Sequence, residues 1–183
     1  MSQKQIIILI ITIIIVIVAY LILSGFYPVA LVNFNSISAH EWEANLTAAY
    51  AYYQKTSNNS LSNAAQKEIQ RVILGKLIRE EIIHQELTNR VKNSELAAII
   101  DNKVKNFTAD SQTPELVKNF YGLSMERFDK LLIPVAEEEI LGGRLFIENK
   151  NLSEWLKENR KKARLIILLP DFSWDGEKVK LVD

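Results

Sequence analysis

Cysteine is absent from the 183 residues, and histidine and methionine occur only twice each. Without cysteine there are no disulfides, no thiol nucleophile, no cysteine metal site and no lipid-modified N-terminal cysteine. The two histidines, His40 and His84, fall on different predicted helices. Metal and nucleophile sites need convergent partners, so both are read as structural, and neither a metal nor a cofactor is expected. Glycine is scarce as well. The one pair, Gly142-Gly143, lacks the strand, loop and helix of a phosphate-binding loop. An excess of one charge is also missing: Lys plus Arg and Asp plus Glu both count 22. Lys4 is the only charged side chain before Ser24, which leaves 21 basic and 22 acidic residues, a formal −1, for the remainder. That balance argues against nucleic acid as a partner.

What the sequence does have is one long apolar run. Ile6 to Leu23 reads IIILIITIIIVIVAYLIL, 18 residues without a charge. As a helix it would rise about 27 Å, close to the hydrocarbon thickness of a bilayer. A cleaved signal peptide fits less well, because the run is long and Ile22 or Leu23 would occupy the small-residue position before a cut. Lys4 precedes the run and no Lys or Arg follows until Lys55, which places the N-terminus in the cytoplasm. The expectation is therefore residues 1–25 as cytoplasmic N-terminus and single-pass transmembrane anchor, localisation in the cell membrane, and residues 26–183 as one extracytoplasmic domain.

That domain reads as mainly helical. Pro28 to Val32 is a short β-rich run and Asn33 to Ser36 is turn chemistry. Ser38 and Glu41 fit a capping box for a helix from Ala39 to Lys55, with Trp42, Leu46, Ala49, Tyr50 and Tyr53 on one stripe. After a polar loop from Thr56 to Asn63, a long helix is predicted from Ala64 to Arg90. Its apolar face carries Ile69, Val72, Ile73, Leu77, Ile78, Ile82, Ile83 and Leu87, wide enough to imply burial on more than one side. Asn93 or Ser94 caps a third helix, with Leu96, Ile99, Ile100, Val104 and Phe107 inward. Thr113-Pro114 starts a short helix ending near Gly122. Ser124 caps another that Pro134 should kink and that runs to Asn149. A last helix opens at Ser153 and ends in Arg160-Lys161-Lys162. Arg164 to Pro170 is a strand, and Asp175-Gly176 marks a final hairpin. The fold class expected is mainly α, with the N-terminal strand and C-terminal hairpin forming a small antiparallel sheet.

Few residues offer chemistry. Glu80-Glu81 and Glu137-Glu138-Glu139 could pose as paired carboxylates, but consecutive helix positions point apart, and a solvated face is the simpler reading. Arg160 to Arg164 is read as a helix-end cap, with anionic headgroups the sharper alternative. The aromatics are the ambiguous feature. Tyr50, Tyr53, Phe107, Phe120, Tyr121 and Phe128 could be core. They are also the residue types that a surface binding many extended segments would use, since flat rings give contact area at little rotamer cost.

The order of several short strings resembles the SurA-type N-terminal chaperone domain, the family of the foldases related to PpiD and PrsA. Val32-Asn33, Ile37-Ser38 and Glu41-Trp42 resemble its opening turn, cap and first helix. Leu77 to Glu86, LIREEIIHQE, is similar to its long helix, and Val91 to Leu96 to the start of its third. Gly122-Leu123-Ser124 with Phe128, then Trp155-Leu156 and Arg160 to Ala163 before the strand, look like its later helices. The resemblance spans about Val29 to Pro170. It departs at Phe34, where the family has a turn glycine. No segment has room for the parvulin-type isomerase domain that many relatives carry, and no glycine-rich string or histidine pair like that domain's is present.

The resemblance implies a SurA-N-like helical domain acting as a membrane-anchored extracytoplasmic chaperone, not an enzyme. It would bind unfolded or newly exported polypeptides through an apolar groove, with Tyr50, Tyr53, Phe107, Phe120, Tyr121 and Phe128 as candidate peptide contacts. The alternative is a structural or assembly subunit of a bacterial envelope complex binding one folded partner. Several unrelated clients would favour the first, and one stoichiometric partner the second.

Overall fold

The computed structural model describes residues 3–56 and 61–182, apart from the side chains of seven residues in the first helix (3, 14, 17, 18 and 21–23). The apolar run forms helix α1, Gln3–Leu23. Thr12 Oγ1 donates to the Ile8 carbonyl at 2.9 Å, as a hydroxyl inside an apolar helix should. The expected transmembrane anchor is nevertheless corrected: among the described residues no helix is long and apolar enough to cross a membrane. A span needs about 20 apolar residues in continuity. The single-pass topology and the cell-membrane localisation fall with the anchor.

Strand β1, Pro28–Val32, pairs antiparallel with β2, Asn35–Ser38. By local chemistry the residues of β2 read as turn and cap, and the pairing with β1 makes them a strand instead. Val32 pairs with Asn35, so Asn33 and Phe34 alone make the loop, with φ of 51° and 76°. Two positive φ values match the right-handed twist of a two-residue hairpin. Asn33 tolerates this and Phe34 does so at a cost, since only glycine adopts that region freely. Asn33 then ties distant segments together. Its N–H donates to the Arg164 carbonyl and its Oδ1 accepts from the Arg164 N–H, both at 2.8 Å. Its Nδ2 donates to Gln85 Oε1 at 2.9 Å.

Helices α2, Ala39–Thr56, and α3, Asn63–Arg90, follow. Ser38 Oγ accepts from the Glu41 N–H at 3.2 Å, one half of the expected capping box. Residues 57–60 of the expected loop lie outside the described residues. Ser62 caps α3 through Ala65 N–H at 3.2 Å. Then come α4, Asn93–Phe107; α5, Thr113–Tyr121; α6, Met125–Ile147; and α7, Leu152–Lys162. No side chain caps α4: its N-cap is Lys92, with the expected Asn93 already inside. Gly122 ends α5 at φ 65°, and Ser124 caps α6. Helix α6 runs unbroken through Pro134.

Helix α3 is the axis of the core. Leu74, Leu77, Ile78, Ile82, Ile83 and Leu87 are buried along it, each stabilising by about 1.5–3 kcal/mol. Around them pack Val29, Ala30 and Val32 of β1, Ile140, Leu141 and Leu145 of α6, and Leu156 of α7. Val72, expected inside, is half exposed, and Leu74, absent from the expected stripe, is fully buried. The buried face is the one that both α6 and the sheet reach.

Strand β3, Leu165–Ile167, pairs antiparallel with β1, giving the order β2-β1-β3. Strands β4, Phe172–Trp174, and β5, Val179–Leu181, form a separate two-stranded sheet. The expected single sheet joining the N-terminal strand to the C-terminal hairpin is thus corrected to two. The hairpin turn is as anticipated: Asp175 Oδ1 accepts from the N–H groups of Glu177 and Lys178 at 2.9 and 2.8 Å, and Gly176 takes φ 98°.

Candidate functional site

On α2, Asn45, Ala48, Ala49 and Tyr52 fall three, four and seven positions apart, so they share a face. Small residues on that face let a second layer stand away from α3 and leave a hollow. Tyr52, Tyr121 of α5 and Phe128 of α6 wall it together with Leu131, Leu132 and, from α3, Ile73, around about 310 Å³. The three rings form a row. Tyr52 stacks on Tyr121 with centroids 5.7 Å apart and 18° between planes, and Tyr121 meets Phe128 at 5.7 Å and 35°. Offset geometry of this kind is worth about 0.5–1.5 kcal/mol per pair beyond burial. Tyr52 is nonetheless 47% exposed.

A second hollow of about 660 Å³ adjoins the first and shares Asn45, Lys76 and Leu131 as walls. It is more polar, with His40, Glu41, Glu43, Glu80, Glu126, Arg127 and Lys130 around it. Pro134 also lines it, and having no N–H it leaves the Lys130 carbonyl without its helical donor beside the hollow. At the junction Lys76 Nζ is fixed between Asn45 Oδ1 at 3.0 Å and Glu80 Oε1 at 2.7 Å. Burial pushes the Glu41 and Glu80 carboxyls up from their ordinary range. Glu81 adds to the rise at Glu41, and Lys76 opposes it at both. The whole is a cleft with an aromatic, apolar end and a charged end. Such a surface can take an extended chain, apolar side chains against the rings and backbone polar groups toward Asn45 and Lys76.

The candidate aromatics divide. The cleft brings together Tyr121 and Phe128. Tyr50 and Tyr53 are half-buried on α2, and the Tyr50 hydroxyl is buried without a hydrogen-bond partner. Phe107 and Phe120 are exposed at 41% and 47%, and no ring contact among the described residues joins them to the row. Tyr52 is not among the expected contacts and lies off the Trp42–Leu46 stripe. The signal was present in the Asn45-Ala48-Ala49-Tyr52 periodicity.

The carboxylate run is solvated only in part, with Glu139 exposed and Glu137 buried. Glu137 is 4% exposed and its Oε1 lies 2.8 Å from His84 Nδ1. That hydrogen bond holds the His84 imidazole above its ordinary value, against its partial burial. Glu138 pairs with Arg79, and Glu139 with Lys103 of α4 at 2.7 Å. Three neighbouring side chains thereby join α6 to α3 and α4. Among the described residues no three His, Asp or Glu side chains group as a metal site.

The comparison with curated proteins and that with solved structures each gave no match. A family model, described as SurA-like N-terminal domain, matches residues 1–121, from α1 to the end of α5. With two thirds of its length matched, the chain belongs to the SurA-like N-terminal domain family.

Proposed function

We propose that the chain is a chaperone-like holder of unfolded polypeptide, taking extended apolar segments into the cleft between α2, α5 and α6 and carrying no catalytic step of its own. The observation that carries this reading is the row Tyr52–Tyr121–Phe128, one ring half exposed and two partly buried, in mutual contact along the wall of an apolar hollow. Rings kept partly in water cost hydrophobic free energy, and a client segment recovers it. Family membership supports the same reading, since domains of this kind are chaperone-like. Tyr121 and Phe128, with Tyr52, are the proposed contacts. Tyr50, Tyr53, Phe107 and Phe120 are proposed as outlying contacts only.

The test compares the full chain with a Tyr52→Ala, Phe128→Ala double variant in suppressing aggregation of several unrelated unfolded clients. Phe146→Ala serves as control, because Phe146 is 80% exposed and lines neither hollow. Loss of about tenfold in potency by the double variant, with Phe146→Ala unchanged, is expected from removing two aromatic anchors. Unchanged potency at unchanged melting temperature refutes the cleft as the binding surface. Failure to protect any client, together with capture of one folded partner at fixed stoichiometry, refutes the holder function.

A further inference from the structure

A third hollow has no part in the cleft. Where α3, α7 and the β4–β5 turn meet, Arg79, Ser153, Lys157, Arg160, Glu177 and Lys178 line a space of about 460 Å³. Four cations face one carboxylate, and Glu177 is already engaged by Lys161 Nζ at 2.8 Å. Arg79 gives one terminal nitrogen to Glu138. Its Nε, and that of Arg160, are buried without a hydrogen-bond partner. No ion pair to Arg160 occurs among the described residues. Burial and the like charge of Arg79 together hold the Arg160 guanidinium below its ordinary value. Two guanidinium groups with unfilled donors, close enough to repel and partly out of water, are unfavourable as they stand. One oxyanion in the hollow that both residues line would cancel the repulsion, and the guanidinium fork matches carboxylate and phosphate geometry.

We propose that this hollow binds a small oxyanion, a carboxylate or phosphate group held by Arg160 and Arg79, with Lys157 and Lys178 adding charge and the Ser153 hydroxyl a further donor. The oxyanion is free phosphate or the C-terminal carboxylate of a polypeptide. The site does not depend on the aromatic cleft.

Titration calorimetry on the full chain decides it, with inorganic phosphate and with one short peptide as free acid and as amide, all at matched ionic strength. Saturable binding of phosphate, or of the acid and not the amide, is expected. Arg160→Met should weaken it about tenfold or more, the scale of a lost charge-assisted hydrogen bond. Lys162→Met removes the same charge from the same helix outside this hollow and should bind as the parent does. Without ligand, Arg160→Met should melt no lower than the parent, because the substitution removes a repelled, partly buried charge. If that variant fails to fold, the double change Lys157→Met, Lys178→Met at two exposed lysines should still weaken binding severalfold. No saturable binding of either probe, or affinities unaltered in these variants, overturns the assignment.

Discussion

Replacing Asn33 should invert the usual ranking of alanine over glycine. Both Asn33→Gly and Asn33→Ala remove the side-chain bonds to the Arg164 N–H and to Gln85. Each is solvent-accessible, so each is worth about 0.5–1.5 kcal/mol net, and either change should cost about 1–3 kcal/mol. The two variants differ in backbone. At φ 51° glycine is unstrained, whereas alanine is forced into the left-handed region. Alanine should therefore be the less stable by about 1 kcal/mol, after allowing for glycine's larger unfolded-state entropy. Urea unfolding of the full chain reads this directly. At a slope of about 2 kcal/mol per molar, the Ala midpoint should lie about half a molar below the Gly midpoint. An Asn33→Ala protein as stable as Asn33→Gly, or more so, would refute the positive-φ hairpin and with it the docking of β1–β2 on β3.

Three further outcomes follow from particular side chains. Gly143 sits inside α6 with nothing within 4 Å of a built Cβ, so Gly143→Ala should raise stability by about 0.5–1 kcal/mol in the same urea assay. The Tyr50 hydroxyl is buried and unpaired, so Tyr50→Phe should be neutral or stabilising by up to about 1 kcal/mol, and a loss beyond that would reveal a partner for it. Melting temperature should fall as pH rises from about 5.5 to 8. The raised His84 value gives stability that is fully present below the ordinary histidine range and lost as pH climbs through the folded value. The raised Glu41 and Glu80 values likewise favour the folded state more at the acid end of that window. His84→Ala should flatten the upper part of the profile, and a melting temperature constant from 5.5 to 8 would sink the linkage.

Local chemistry, read from the chain alone, settled the helices and most strands, with β2 the exception because its residues read as turn and cap. Serine hydroxyls placed one position before an apolar period fixed the starts of α2 and α6, Gly122 fixed the end of α5, and Asp175-Gly176 fixed the last turn, because caps and turns act within four residues. The order of those elements carried enough of the family's pattern for membership to be legible. The anchor inference rested on the continuity of an apolar run, and among the described residues no helix meets the length and apolarity that a span requires. Partnership is what only the tertiary structure decided. Val32 pairs with Leu165 across more than a hundred residues, which put β3 rather than the last hairpin beside β1. Glu137 is buried because α3 brings His84 to it, although its own stretch reads as a solvated acidic run. Tyr52 lies on a different stripe from Trp42, and it enters the site only because α5 and α6 fold Tyr121 and Phe128 against that second face. A helical period says which residues share a face, and the packing of other helices alone says which face is covered and which is left as a cleft.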